Sequence, residues 1–201
     1  MSMAGAALDV LAITSHLQHD AGGAMEGEIH SFAYLGCLVS FYDRDDPAWW
    51  RYRFTATSAG APYAHALSEA LEALGAAGAL LPGSRGLVLS DLGEAQLNLL
   101  RGSSLGERDH YLEAATATAL MMPLPTVPAA ITLEPQLRRA LKWSATTELL
   151  EPDGLDLIRK QFDAVTKGLS EEKIDAREDL MVPAVLWLSY LLDEQQSSSS
   201  K

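Results

Sequence analysis

The sequence predicts a mainly α-helical protein with a β-hairpin in its N-terminal half and a helical bundle in its C-terminal half. Three observations support this fold class. Apolar residues recur at helical spacing along most of the chain, short apolar runs flank a turn at 82–86, and the second half contains only helical patterns. The 201 residues, 48% of them hydrophobic, suffice for one domain or two small ones.

The N-terminal half is predicted to hold four helices, an extended arm and the hairpin. Residues 1–7 are expected to fray. Alternating aromatic and polar residues predict the arm at 49–57. The runs 79–81 and 87–89 predict the two hairpin strands. The helices are expected from Leu8 to the Gly22-Gly23 pair, at 26–42, at 63–77, and from Ser90, which can cap the helix, to 101.

The C-terminal half is predicted to be helical throughout. Helices are expected at about 106–122, 134–150, 153–167 and 171–194. The proline-rich segment 121–128 is expected to be a non-helical connector, and Pro183 is expected to kink or divide the last helix. These elements predict three units: a first domain over 8–101, a helical domain over 105–195, and a short disordered tail over 196–201.

Residues 63–100 carry the most specific pattern in the chain. The pattern L-x-x-A-L-x-x-L runs from Leu67 to Leu74, Gly78 precedes a short strand, and L-S-x-L-G-E begins at Leu89. This pattern resembles bacterial winged-helix proteins, in which the hairpin forms the wing. The resemblance covers about residues 8–101, so the first domain is predicted to be winged-helix-like.

The segment that enters the 63–77 helix extends this resemblance. With Gly60-Ala61-Pro62-Tyr63, it is similar to a segment of acidic winged-helix accessory proteins, although those carry Gly-Pro in place of Gly-Ala-Pro. This group includes middle-component subunits encoded beside ATPases of the SMC/ABC type in bacterial defence systems. The resemblance implies a non-catalytic interaction subunit of an anti-phage (antiviral) complex, with the ATPase subunit as its partner.

The alternative function is a winged-helix transcriptional regulator that binds DNA. The formal net charge of -12 and the helix at 63–77, which has Glu69 and Glu72 but no Lys or Arg, disfavour DNA binding through that helix. In this alternative, DNA would be contacted through three arginines of the arm and the hairpin: Arg51, Arg53 and Arg85.

The chain lacks the motifs of common enzymes. It contains no glycine-rich phosphate loop and no G-x-S-x-G nucleophile motif. His16 and His19 have helical spacing for a metal site, but no HExxH motif and no second histidine pair supports one. The acidic loop at 43–46 and Cys37 have simpler structural explanations, as a solvated loop and a buried small side chain. We therefore predict no enzymatic activity, no catalytic residues, no metal and no cofactor.

Four aromatic residues are the candidate contacts to a partner protein, or to a second copy of the chain. Neighbouring side chains of an extended segment face opposite sides, so at least one of Trp49 and Trp50 is expected to point outward. Trp187 and Tyr190 lie in an apolar helix, and aromatic residues are enriched at interfaces.

The expected location is the cytoplasm. Cys37 is the single cysteine, so the chain cannot form an intramolecular disulfide. No run of apolar residues approaches the length of a membrane span, and the N-terminus lacks the basic flank of a signal peptide. No membrane association is therefore expected.

Overall fold

The computed structural model describes residues 2–44, 50, 52–144, 146–171 and 179–199, and the chain is mainly helical within them. The helices of the described residues are α1 (Ser2–Ala21), α2 (Glu26–Arg44), α3 (His65–Ala76), α4 (Asp91–Arg101), α5 (Glu107–Met121), α6 (Thr126–Ile131), α7 (Pro135–Trp143), α8 (Pro152–Glu171) and α9 (Met181–Ser199). The strands are β1 (Thr55–Ala56), β2 (Pro62–Tyr63), β3 (Leu80–Pro82), β4 (Leu87–Leu89) and β5 (Thr147–Glu148).

Two small antiparallel sheets accompany the helices. The predicted hairpin is confirmed as β3 and β4, in which Leu80 pairs with Leu89. The predicted cap is also confirmed, because the Gly93 amide donates to Ser90 Oγ over 3.1 Å at the start of α4. A second sheet has the strand order β2-β1-β5. It joins the arm to a short strand that the sequence analysis placed inside a helix.

The hairpin is tied to the turn between α1 and α2. Ala24 and Leu87 exchange two backbone hydrogen bonds, of 2.9 and 2.8 Å. Gly86 permits this approach, since a Cβ atom at that position would lie 2.5 Å from the Ala24 carbonyl oxygen. A side chain at residue 86 would therefore separate the hairpin from the first two helices.

One hydrophobic core includes buried side chains from both predicted domains. α5 packs against α1 and α2, while α3, α4 and β4 pack on α1. α9 packs against α5, α6 and α8. The buried cluster extends from Ala6 in α1 to Leu191 in α9. The predicted helices and hairpin occur in the predicted order, with α6 as an additional helix, whereas the winged-helix assignment and the division into two domains stay predictions.

Several predicted boundaries are wrong. The helix α1 begins at Ser2, although residues 1–7 were expected to fray. Of the predicted arm, only Thr55 and Ala56 lie in a described strand. α6 forms inside the proline-rich connector, because its Pro128 lies in the first turn, where no intrahelical amide donor is needed.

The last helices also differ from expectation. α7 ends at Trp143, and Ser144 adopts a left-handed conformation with φ of 49°. Pro183 lies in the first turn of α9 rather than at a kink, since the described part of this helix starts at Met181. α9 continues to Ser199, beyond residue 195, where the helical domain was expected to end.

Candidate functional site

An apolar groove lies between α8 and α9. Its cavity volume is about 740 Å³, and Pro135 at the start of α7 also lines it. We call it the α8–α9 groove and define it by six residues: Leu157, Gln161, Val165, Leu169, Leu186 and Tyr190. Three large side chains in it are substantially exposed, namely Leu157 at 39%, Leu186 at 40% and Tyr190 at 47%. Such clustered exposure is typical of a surface that binds another apolar surface.

The groove exists because α8 carries apolar residues on two faces. Ile158 and Phe162 are buried in the core. Leu157, Gln161 and Val165 recur at intervals of four residues, so they form a stripe along the neighbouring face. Packing of α8 on the core buries one stripe and leaves the other beside α9.

Trp187 forms the aromatic support beneath the groove. Its ring stacks on that of Phe162 with the centroids 5.8 Å apart, and its Nε1 donates to Gln161 Oε1 over 3.0 Å. Trp187 has no exposed surface. The prediction that Trp187 contacts a partner directly is therefore wrong, because its indole is occupied in joining α8 to α9. Tyr190, the other predicted contact on this helix, does line the groove.

Trp50 of the predicted arm is part of the core. Trp50 has no exposed surface, and the Arg108 guanidinium carbon lies 4.2 Å from the centre of its ring. The assignment of Trp50 to a partner surface is also wrong, because its ring packs against Arg108 of α5 and lies beside Gly36 of α2. Trp49 lies outside the described residues, so its predicted outward orientation stays a prediction.

A buried ion pair lies beside Trp50. Arg108 of α5 pairs with Asp9 of α1, and its Nη1 also donates to the Trp50 carbonyl oxygen over 3.1 Å. The Tyr52 hydroxyl donates to the same Asp9 carboxylate over 2.5 Å. Burial raises the pKa of Asp9 to about 6, although the Arg108 charge and the hydrogen bond from Tyr52 act in the opposite direction. This cluster joins α1, the arm and α5, and its two charged residues, Asp9 and Arg108, are buried.

Two of the three candidate DNA contacts, Arg53 and Arg85, form ion pairs within the chain. Arg85 binds Glu28, with a distance of 3.0 Å between Nη1 and Oε2, and donates to the Gly23 carbonyl oxygen over 2.8 Å. Arg53 is 82% exposed and its Nη1 lies 2.8 Å from Glu148 Oε1. Arg51 lies outside the described residues. Since both described arginines already neutralise carboxylates, their capacity to neutralise phosphates is reduced.

A polar cleft lies between α1, the end of α4 and α5. It has a volume of about 390 Å³ and is lined by His16, His19 and Arg101, among others. Asp109 stands between two of these groups, with 2.7 Å to Arg101 Nε and 3.4 Å to His16 Nε2. Burial acts to raise the pKa of Asp109, but the neighbouring His16 and Arg101 outweigh burial and hold it below its usual value.

The described residues that were considered for metal binding or nucleophilic chemistry are His16, His19, Cys37 and Asp43. Among the described ranges, no three His, Cys, Asp or Glu side chains come together as a set that could hold a metal ion. Asp43 accepts a hydrogen bond of 2.6 Å from the Tyr111 hydroxyl, while Asp45 and Asp46 lie outside the described residues. Burial raises the pKa of the Cys37 thiol far above its ordinary value, which suppresses the reactive thiolate.

Comparison of the chain with models of protein families, with characterised proteins and with solved structures gives no match in any of the three. The resemblance to winged-helix accessory proteins therefore rests on the sequence motifs alone. In the part of the chain that the structure describes, no helix is both long enough and apolar enough to span a membrane.

The sequence analysis found one groove residue, Tyr190, and missed the others. The signal was present in α8, where Ile158 and Phe162 lie on one face and Leu157 and Val165 lie on the adjacent face, with the polar Gln161 between them. One such stripe indicates a helix packed on a core, and two adjacent stripes indicate a helix with more apolar surface than one neighbour can cover. The Asp9–Arg108 pair had no local signal, because its members lie 99 residues apart.

Proposed function

We propose that this chain is a non-catalytic interaction subunit of a multiprotein complex and that it binds its partner through the α8–α9 groove. The observation that carries the proposal is the exposure of Leu157, Leu186 and Tyr190 in one apolar groove. Leaving three large apolar side chains in water forgoes the free energy of burying them, which is about 25 cal/mol per Å². A partner that covers the groove recovers this free energy.

The structural setting of the groove also supports protein binding. The walls of the groove are two regular helices. They are held together by the stacking of Trp187 on Phe162 and by the hydrogen bond from Trp187 to Gln161. A surface presented on regular elements loses little conformational entropy on binding. Aromatic residues in such positions often contribute most of the binding energy.

The sequence resemblance makes an ATPase subunit of the SMC/ABC type the first partner to test, in a bacterial anti-phage system. Regulation of transcription through direct DNA contact receives less support, since Arg53 and Arg85 pair with Glu148 and Glu28.

The test is quantitative affinity purification from the cells that produce the protein. We expect a partner protein to be recovered at fixed stoichiometry with the wild-type chain and to be lost with the double variant Leu186→Ala/Tyr190→Ala. The matched control is Leu99→Ala, which removes a 76% exposed leucine of α4 that does not line the groove. Recovery of the same partner with the double variant, or of no partner with the wild-type chain, would contradict the proposal.

A further inference from the structure

We infer that the element bound in the α8–α9 groove is an amphipathic helix of a partner protein, with basic residues beside its apolar stripe. This inference rests on the proposed function and adds the chemistry of the partner. It is carried by the dimensions of the groove and by the distribution of charge around it.

The dimensions of the groove fit a short helix. Its lining extends along α8 from Leu157 to Leu169 and along α9 from Leu186 to Glu194. At a rise of 1.5 Å per residue, these walls are about 18 and 12 Å long. A helix with apolar side chains at positions i, i+4, i+7 and i+11 presents a stripe about 16 Å long. Two to three turns of an amphipathic helix therefore match the open apolar surface.

The charge around the groove favours a basic partner. The two helices that form the groove, α8 and α9, together contain six acidic and three basic side chains. α9 contains no Lys or Arg, and its acidic residues are Asp193 and Glu194. Glu194 itself lines the groove. Complementary charge on a partner increases the association rate and selects among partners.

α8 has three basic residues, Arg159, Lys160 and Lys167, which offset the acidic charge of the two helices only in part. Arg159 lies 3.7 Å from Asp156 and over the ring of Phe41, so its charge is directed towards its own chain. Lys160 also lines the groove, and its charge is opposite to that of Glu194. Lys160 and Glu194 make the charge preference testable, because reversing the charge of one should change the affinity for a basic helix in the opposite direction from reversing the other.

A second copy of the chain is a less suitable occupant. Each copy carries a net charge of -12, so two acidic surfaces would have to approach one another. An apolar small molecule would fill the groove without any preference for charge. Both occupants are outcomes of the experiment below.

The experiment uses two fluorescent synthetic helices of about 14 residues, measured by anisotropy against the full chain. Both carry leucines at i, i+4, i+7 and i+11; one has lysines beside the stripe and the other has glutamates. We expect the lysine peptide to bind roughly 10-fold more tightly than the glutamate peptide and to weaken at high salt. A lysine peptide with the same composition in scrambled order should not bind, because it lacks the stripe.

Charge variants of exposed residues keep the test independent of folding. We expect Glu194→Lys to weaken the lysine peptide roughly 3- to 10-fold and Lys160→Glu to tighten it. The matched control is Glu72→Lys on α3, which changes the net charge equally but does not line the groove. Its effect should be smaller.

Four outcomes would overturn the inference. They are equal or tighter binding of the glutamate peptide, equal effects of Glu72→Lys and Glu194→Lys, binding of palmitate or neutral lipid vesicles but of neither peptide, and a dimer that Leu186→Ala/Tyr190→Ala dissociates. If a partner is still lost from cells with that double variant, the proposed function stands while this inference fails. If the lysine peptide binds in the groove but no partner is recovered from cells, the preference for a basic helix stands while the proposed function fails.

Discussion

Two regions of the molecule differ in how completely they bury polar and aromatic side chains. One is the core around α1 and α5, and the other is the pair of helices α8 and α9. In the first region even a charged pair, Asp9 and Arg108, is enclosed together with Trp50. In the second region Trp187 is buried, but Tyr190, less than one helical turn later, is about half exposed. Aromatic character alone therefore does not decide burial. The elements that pack against each face of a helix decide it, because on α9 Trp187 stacks on Phe162 of α8 while Tyr190 lines the open groove.

The largest expected effect comes from breaking the buried ion pair. Arg108→Met leaves the Asp9 carboxylate buried without its cation, and we expect the free energy of unfolding near neutral pH to fall by about 3–5 kcal/mol. Urea titration followed by circular dichroism measures it. The double variant Asp9→Leu/Arg108→Met removes both charges and should recover most of the loss. The exposed pair provides the contrast, since Arg53→Ala should cost under about 1 kcal/mol.

The comparison is wrong if Arg108→Met and Arg53→Ala destabilise the chain equally. In that case the Asp9–Arg108 environment would be as open to water as the surface.

A pH-dependent effect is expected from His30, which is buried between α2 and the start of α3. The Ala64 amide donates to its Nδ1 over 3.1 Å, and burial lowers the pKa of His30 from 6.5 to about 4. Between pH 6.5 and pH 4, His30 is protonated in the unfolded chain but neutral in the folded chain. The folded chain is therefore destabilised as the pH falls through this interval. The contribution reaches about 3 kcal/mol.

His30→Asn separates this contribution from that of Asp9. Asp9 has a pKa raised from 3.8 to about 6, so it binds a proton more readily in the folded chain and adds stability as the pH falls through this interval. The variant keeps an acceptor for the Ala64 amide but does not titrate. As the pH is lowered from 7 to 4, the stability of the variant should therefore rise relative to that of the wild type. A constant difference across this range would show that His30 is not shielded from water.

Glycine substitutions compare the packing of the two regions directly. A Cβ atom on Gly5 would lie 2.4 Å from Arg108 Nη1, whereas no atom lies within 4 Å of one on Gly168 in α8. We expect Gly5→Ala to cost about 1–2 kcal/mol, because the clash exceeds the gain in helix propensity. Gly168→Ala should stabilise the chain by about 0.5–1 kcal/mol. Thermal melts of both variants measure these changes. If both substitutions stabilise the chain, or both destabilise it, the difference in packing between the two regions is contradicted.

The smallest effect on stability is expected at the groove. Tyr190→Ala should change the free energy of unfolding by less than about 1 kcal/mol, because half of the side chain is already in water. Trp187→Ala on the same helix is the control and should cost about 3–5 kcal/mol through loss of its packing on Phe162. Chemical denaturation of the two variants tests this. A large loss with Tyr190→Ala would assign Tyr190 to the core and remove it from the groove.

Local sequence signals predicted much of the secondary structure. The end of α1 before Gly22-Gly23, the hairpin and the Ser90 cap depend on residues that are close in sequence, and the structure agrees with each. The strand β5 was not predicted, because two residues, Thr147 and Glu148, form it only by pairing with β1 some 90 residues earlier. The candidate site was predicted in part, through Tyr190.

The sequence by itself determined the helical fold class, the hairpin and the acidic charge, because periodicity, turn chemistry and residue counts need no knowledge of distant contacts. Tertiary structure alone decided that Trp50 and Trp187 are buried, that Arg85 pairs with Glu28, and that the second apolar stripe of α8 faces a groove. Burial depends on which elements pack against a side chain, and those elements lie far away along the chain. The same pattern of apolar residues can therefore form either a core or a binding surface.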